Sequence, residues 1–150
     1  MKIILQRCAS ASVSMDNNTR SIQQGYILLL GVMAGDNEAD ADKLIQKILH
    51  LRLFSNKEGK INDRSIQDIA GDILLVSQFT LAGSFKKGNR PDYTAAMEPQ
   101  QAKKLYEYAT TKLKQCKALQ SVQTGEFGAH MEVKLVNDGP VTLVLDSTCL

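Results

Sequence analysis

The chain has 150 residues, 43% of them apolar and 23% charged, the proportions of a single ordinary globular domain over residues 1–150. A net charge of only +2 argues against a polycation that charge alone holds on nucleic acid. No apolar run approaches the ~20 residues that cross a bilayer. The first residues reach charge too soon for a secretory signal, so we expect a cytosolic location and no membrane contact.

Cysteines and histidines are too few and too widely spaced for a metal centre. The cysteines are Cys8, Cys116 and Cys149, and the histidines are His50 and His130. None of these residues has metal-ligand spacing, and an odd cysteine count argues against a disulfide framework. We therefore expect reduced thiols, no metal and no organic cofactor.

The first third of the chain predicts strands followed by a helix. Apolar or alternating patterns predict the strands over residues 2–7, 9–15 and 25–33. Short turns between them favour an antiparallel arrangement. Apolar residues at a period of 3.6 predict a helix over residues 38–52, packed on the sheet and capped by Asp36 or Asn37.

The rest of the chain predicts more strands around a second helix. The run Ile73–Val76 is apolar without alternation, which is typical of a strand buried on both faces. A second helix is predicted over residues 99–117, with Pro99 in its first turn. Further strands are predicted over residues 119–124, 131–136 and 141–145. Strands grouped at both ends of the chain predict an α+β fold.

Polar residues end the buried strand, in the stretch Ser77-Gln78-Phe79-Thr80-Leu81. A rigid strand that delivers hydrogen-bonding groups to the rim of a core is a usual place for a site. The alternative is that these residues only cap the strand end.

A second stretch, Asn137-Asp138-Gly139-Pro140-Val141-Thr142, places a proline just before a predicted strand. A plain turn accounts for it, since proline does not fit inside a central strand. If the Gly139-Pro140 bond is cis, two successive carbonyls can face the same way and form a rigid wall of acceptors. The sequence leaves both interpretations open.

A basic loop lies between these stretches. Lys86, Lys87 and Arg90 put three cations into five residues. The loop is either a solvated surface segment or a contact for nucleic-acid phosphates.

Together, these motifs strongly resemble the D-aminoacyl-tRNA deacylase family. Further matches are Gln6-Arg7, Ala11-Ser12-Val13, Leu30-Gly31-Val32, Arg52-Leu53-Phe54-Ser55, Gly88-Asn89-Arg90-Pro91 and residues 124–131. The resemblance extends from Lys2 to about Asp146. It implies a largely antiparallel, barrel-like sheet packed with two main helices.

The resemblance also implies an activity. The family hydrolyses the ester of D-aminoacyl-tRNA, and glycyl-tRNA is a further expected substrate. It implies a homodimer in which a cis Gly139-Pro140 bond reaches into the other subunit's pocket, where its carbonyls exclude an L side chain. The residues implied to bind the ester are Gln78, Phe79 and Thr80, with Ser77 beside them. Arg7 is implied to hold the Gly-Pro loop, and Phe127, Ala129 and Met131 to lie near the terminal adenosine.

The chemistry leaves two routes. Thr80 as nucleophile needs an adjacent base, and the sequence supplies no convincing one. We therefore favour attack by water with assistance from the tRNA's own 2′-hydroxyl, and an oxyanion held by backbone N–H groups near Phe79 and Thr80. The rival interpretations are an RNA-binding module without catalysis, which needs the basic loop but not Gln78, and a plain dimeric interaction protein.

Overall fold

The computed structural model describes residues 1–16, 18–86 and 88–150. The strands are β1 (Lys2–Met15), β2 (Asn18–Ile22), β3 (Gly25–Gly31), β4 (Arg52–Phe54), β5 (Arg64–Ser65), β6 (Asp72–Ser77), β7 (Val122–Thr124) and β8 (Glu132–Asp146). The helices are α1 (Glu38–His50) and α2 (Pro99–Gln115), with short 3-10 helices at Phe79–Ala82 and Ser147–Cys149.

β1 organises the main sheet, because it pairs along both of its edges. One edge pairs antiparallel with β3 over residues 2–8 and with β2 over residues 11–15. The other edge pairs antiparallel with β8 over residues 2–14. The two strands predicted at 2–7 and 9–15 are therefore one strand, and the two predicted at 131–136 and 141–145 are joined in β8.

The other two strands of the main sheet, β6 and β7, are parallel to their neighbours, which the sequence patterns did not predict, while β4 and β5 form a separate antiparallel pair. β6 pairs parallel with β3, and β7 pairs parallel with β6. A parallel pair needs a long crossover, and α1 lies in the one that separates β3 from β6. Where the sheet's ends approach each other, Arg20 Nη1 on β2 donates to the carbonyl oxygen and to Oγ1 of Thr124 on β7, at 2.7 and 2.9 Å. The sheet is thus mixed and nearly closed, and the predicted α+β, barrel-like class is confirmed.

Both helices pack buried stripes against the sheet. α1 buries Ala41, Leu44, Ile45 and Ile48, and α2 buries Ala102, Tyr106, Ala109 and Leu113. Asn37 caps α1 by accepting from Ala39 N, as expected. The helix ends at His50, two residues before the predicted end. Among the described residues, no helix has the length and apolar character that a membrane crossing requires.

Candidate functional site

A cavity of about 650 Å³ lies between the end of β6, the start of α2 and the segment before β8. It brings together most of the residues proposed from the sequence to bind substrate. Those that line it are Ser77, Gln78, Phe79, Phe127, Ala129 and Met131. Two groups about 50 residues apart in sequence therefore form one site.

The polar end of the cavity depends on how β6 leaves the core. Ile73–Val76 are buried, Ser77 and Gln78 are half-buried, and Phe79 and Thr80 are exposed. Gln78 N donates to Leu30 O at 2.7 Å, which ties the end of β6 to the end of β3. The chain then turns into the 3-10 helix Phe79–Ala82 rather than continuing as a strand. The site residues thus stand on a rigid strand end.

Among the described residues, the Thr80 hydroxyl is paired with an amide and not with a base. Gln78 Nε2 donates to Thr80 Oγ1, and an amide nitrogen cannot take a proton from the hydroxyl. Burial raises the pKa of Tyr106, another cavity residue, to about 12, so its phenol is neutral at physiological pH. Within the described ranges, no group of three or more His, Cys, Asp or Glu side chains is placed to hold a metal ion.

The Gly-Pro stretch forms a wide bulge inside β8. β1 pairs with β8 at Gln6↔Thr142 and at Cys8↔Asn137, so Arg7 alone lies opposite the four residues 138–141. The Gly139-Pro140 peptide bond in this bulge is cis. Of the two interpretations that the sequence left open for this stretch, the plain turn is therefore wrong. A bulge accommodates proline within a strand because the residues in it leave the ladder of hydrogen bonds.

Arg7 holds one end of the bulge. Its Nε donates to Asp138 O at 2.9 Å and lies 3.2 Å from the Asp138 carboxylate, while Nη1 donates to Leu53 O. The guanidinium carbon lies 5.7 Å from the ring centroid of Phe54, which stacks on Tyr26. The Arg7 side chain is only 16% exposed. It thus connects β1, β4 and the bulge at a single point.

The bulge and the cavity are separate within one chain. Of the described residues, those that line the cavity include neither Gly139 nor Pro140, and both of these are exposed. β8, in the described part of the chain, pairs with β1 only, which leaves its other edge free. Exposed apolar side chains lie along this strand, at Val133, Leu135, Val136 and Val144.

The basic loop is closed at its base. Ser84 and Asp92 exchange backbone hydrogen bonds of 2.8 and 2.9 Å, and Lys86 and Arg90 between them are exposed. Lys87, the third predicted phosphate contact, lies outside the described residues. Tyr93, which follows the loop and lines the cavity, was missed by the sequence analysis. A single aromatic residue beside a polar loop does not by itself indicate a binding site in the sequence.

Comparison with known proteins gives full-length matches. Residues 4–146 match the family model for D-Tyr-tRNA(Tyr) deacylase. Proteins named D-aminoacyl-tRNA deacylase from a Nitratiruptor species and from Thermosipho melanesiensis are 52% and 49% identical over 148 residues. The alignments cover 98% of this chain and 98% and 97% of those proteins, respectively.

Solved structures share the fold over the same length. A structure named c-Myc DNA Unwinding Element Binding Protein superposes with a TM-score of 0.91 at 37% identity, covering 97% of this chain and 98% of that one. A probable eukaryotic D-amino acid tRNA deacylase superposes with a TM-score of 0.85 at 17% identity over the same shares. At that identity the second match shows the fold alone.

Replacing Arg7 by lysine should destabilise the protein. An ammonium group cannot reach the Asp138 and Leu53 carbonyls together, so we expect the free energy of unfolding to fall by about 1–3 kcal/mol. Urea titration measures this change. Arg52→Lys, at an exposed arginine of β4, is the control and should stay within about 0.5 kcal/mol of the original chain. Equal stability of the Arg7→Lys protein and the original chain would show that the Arg7 contacts with Asp138 and Leu53 do not stabilise the fold.

Proposed function

The chain belongs to the D-Tyr-tRNA(Tyr) deacylase family, as the resemblance of its motifs predicted, and on this premise we propose that it hydrolyses the ester of D-aminoacyl-tRNA. The products are free D-amino acid and tRNA. The observation that carries the proposal is the single cavity in which Gln78 and Phe79 meet Phe127 and Met131.

The cavity has the size and lining that the aminoacyl end of a tRNA needs. Its volume of about 650 Å³ suits a small organic group, and such pockets combine apolar walls with a few polar anchors. Phe127, Ala129 and Met131 form the wall assigned to the terminal adenosine. Ser77 and Gln78 provide polar groups at the strand end, where the ester is assigned.

Hydrolysis on this scaffold needs modest help from the protein, because an aminoacyl ester is already activated. Backbone N–H groups near Phe79 and Thr80 are the proposed oxyanion donors, each contributing about 3–4 kcal/mol when well placed. The Gln78 amide on Thr80 Oγ1 supports a binding role for that hydroxyl rather than a nucleophilic one. The 2′-hydroxyl of the terminal ribose then assists the attacking water.

A homodimer completes the site. Gly139 and Pro140 lie outside the cavity of their own chain, so a role at the ester requires a second copy. The free edge of β8 and its exposed valines and leucine offer a surface for that copy, since unpaired edges and apolar patches favour association. A two-fold axis would place each bulge at the other subunit's cavity.

Chiral selection then follows from main-chain oxygens. The carbonyls of Gly139 and Pro140 would face the α-carbon of the bound residue, leaving room for the hydrogen of a D-residue or of glycine and excluding an L side chain. Because this filter contacts only the α-carbon and amino group, the side chain can vary. D-Tyr, D-Asp and Gly esters should therefore react at comparable rates.

We propose that the protein acts in the cytoplasm and that the body of the tRNA contacts the basic loop. Lys86 and Arg90 are exposed on this loop, which ends beside the cavity residue Tyr93. Phosphate contacts of this kind add affinity without sequence preference. Nucleic-acid binding without catalysis is the second candidate, because a solved structure 37% identical to this chain is named a DNA-element-binding protein.

Amino-acid release separates the two candidates. Purified protein should release D-tyrosine from D-Tyr-tRNA, and Thr80→Val should retain single-turnover hydrolysis within about ten-fold. A tRNA ending in 2′-deoxyadenosine should lose far more, because its assisting hydroxyl is absent. If Thr80→Val abolished hydrolysis while the folded dimer persisted, Thr80 would be the nucleophile. Binding of tRNA without any release would favour the second candidate.

Gly139→Ala should relax the rejection of L-residues. A Cβ built on Gly139 lies 2.2 Å from Asn137 Nδ2, so the added methyl must displace that side chain or the bulge carbonyls. We expect the L/D ratio of kcat/KM for tyrosyl-tRNA to rise by about ten-fold or more. Retention of full D-specificity would remove Gly139 from the filter.

Mixed dimers test whether the filter acts across subunits. Excess Gln78→Ala chains, once an assay shows that they are inactive alone, should restore L-rejection when mixed with Gly139→Ala chains. In such a mixed dimer, the intact Gln78 site receives its bulge from a partner with normal Gly139. Unchanged L-hydrolysis in a verified mixed dimer would place the filter within one chain.

Neutralising the basic loop should weaken tRNA binding in a salt-dependent way. For the triple variant Lys86→Gln, Lys87→Gln and Arg90→Gln, the slope of log K against log salt should fall by about 2, from three contacts at ~0.7 each. A control variant that removes two cations from α1, Lys43→Gln with Lys47→Gln, should leave the slope unchanged. Unaltered binding of the triple variant at low salt would remove the loop from the tRNA contact surface.

A further inference from the structure

An aromatic pair stands at the rim of the cavity. The rings of Phe79 and Tyr93 lie edge to face, with centroids 5.2 Å apart, and both residues line the cavity. Phe79 is nevertheless 59% exposed. We propose that this pair stacks against the nucleobase that precedes the terminal adenosine of the bound tRNA. The inference rests on the proposed function and extends it by one nucleotide.

The pair is held in place before any ligand arrives. Tyr93 packs over Gly83, where an added Cβ would lie 3.1 Å from a carbon of the Tyr93 ring. Met97 N donates to Val32 O at 3.0 Å, which ties the segment after Tyr93 to the chain beyond β3. On the other side, Gln78 N donates to Leu30 O. Both rings are therefore carried on backbone fixed to the sheet, as a preorganised binding surface requires.

Position and charge favour a nucleobase as the occupant. The adenosine wall lies inside the cavity, the ring pair at its rim, and the exposed cations Lys86 and Arg90 on the loop that joins the two aromatic residues. Proteins that bind single-stranded RNA combine stacking rings with cations along the backbone in this manner. The unpaired 3′ end of a tRNA carries both the bases and the phosphates that these features would bind.

Carboxylates near this path are engaged by backbone N–H groups. Asp92 accepts from Thr94 N at 2.9 Å, and this hydrogen bond lowers the pKa of the Asp92 carboxyl. Glu98 accepts from Gln100 N and Gln101 N at the start of α2. Both carboxylates are therefore directed at backbone N–H groups, that of Glu98 at the start of α2 on the cavity lining.

A double-mutant cycle between protein and RNA tests the stacking. D-Tyr-tRNA is prepared with the normal 3′ end or with an abasic ribose in place of the base before the terminal adenosine, so that every phosphate remains. In the original chain, the missing base should lower kcat/KM by about ten-fold, the expected value of one stacked base. Tyr93→Leu should cause a similar loss with the normal substrate and little further loss with the abasic one.

Two control variants distinguish loss of the Tyr93 ring from a general effect of substitution on folding. Tyr93→Phe keeps the ring and should behave like the original chain. Phe85→Leu removes an aromatic side chain that is 67% exposed on the same loop but outside the pair, and it should also retain the preference for the normal substrate. The abasic comparison on the original chain needs no variant, so equal kcat/KM for the two substrates would overturn the proposal even if Tyr93→Leu does not fold.

Other outcomes overturn the proposal. Equal kcat/KM for normal and abasic substrates, or losses from Tyr93→Leu and the abasic site that simply multiply, would exclude stacking of this base. A lower dimer content of Tyr93→Leu in size-exclusion chromatography, with no abasic effect, would make a second copy of the chain the occupant. Hydrolysis of normal D-Tyr-tRNA in any of these cases would leave the proposed function standing, whereas its absence would refute the function itself.

Discussion

The contact on which the site depends is the one between Arg7 and the bulge of β8. Pairing of β1 with β8 on both sides of Arg7 fixes where the four bulged residues leave the ladder. The guanidinium then binds the Asp138 carbonyl and the Leu53 carbonyl from a nearly buried position. A charged donor with two backbone acceptors and an aromatic neighbour positions the bulge more firmly than ladder hydrogen bonds alone. The exposed Gly139-Pro140 unit is thereby supported from inside the sheet.

The cavity is held in place by other contacts, those of β6 and α2. β6 is buried along nearly all of its length, and the Tyr106 hydroxyl on α2 donates to Leu75 O at 2.9 Å, which joins the helix to the strand beneath the site. The polar side chains at the end of β6 are amides and hydroxyls rather than acids and bases. Such a site acts mainly by positioning and by hydrogen bonding, which suits a substrate whose ester is already reactive.

These two supports divide the proposed work between two parts of one sheet. In this proposal the cavity would hold the nucleoside and the ester, and the bulge of a second copy would select the configuration at the α-carbon. The aromatic pair and the basic loop would extend the same surface toward the rest of the RNA. Each part relies on backbone that the sheet holds in place, which is what preorganised binding requires.

Local patterns in the sequence were enough for several features. The unbroken apolar run at Ile73–Val76 indicated a buried strand, because a short run without alternation is typical of a strand covered on both faces. The 3.6 periodicity determined both helices, since it aligns their apolar residues on one face. The motifs at Ser77–Thr80 and Asn137–Thr142 determined the family resemblance.

Tertiary structure alone decided how these pieces meet. Whether residues 138–141 form a turn or a bulge depends on pairing with β1, about 130 positions earlier in the chain. The parallel pairing of β3 with β6, and the approach of Tyr93 to Phe79, likewise arise between segments that are not adjacent in sequence. Local propensity carries no information about register or about which distant segment packs alongside, because those are set by the burial that the whole sheet achieves at once.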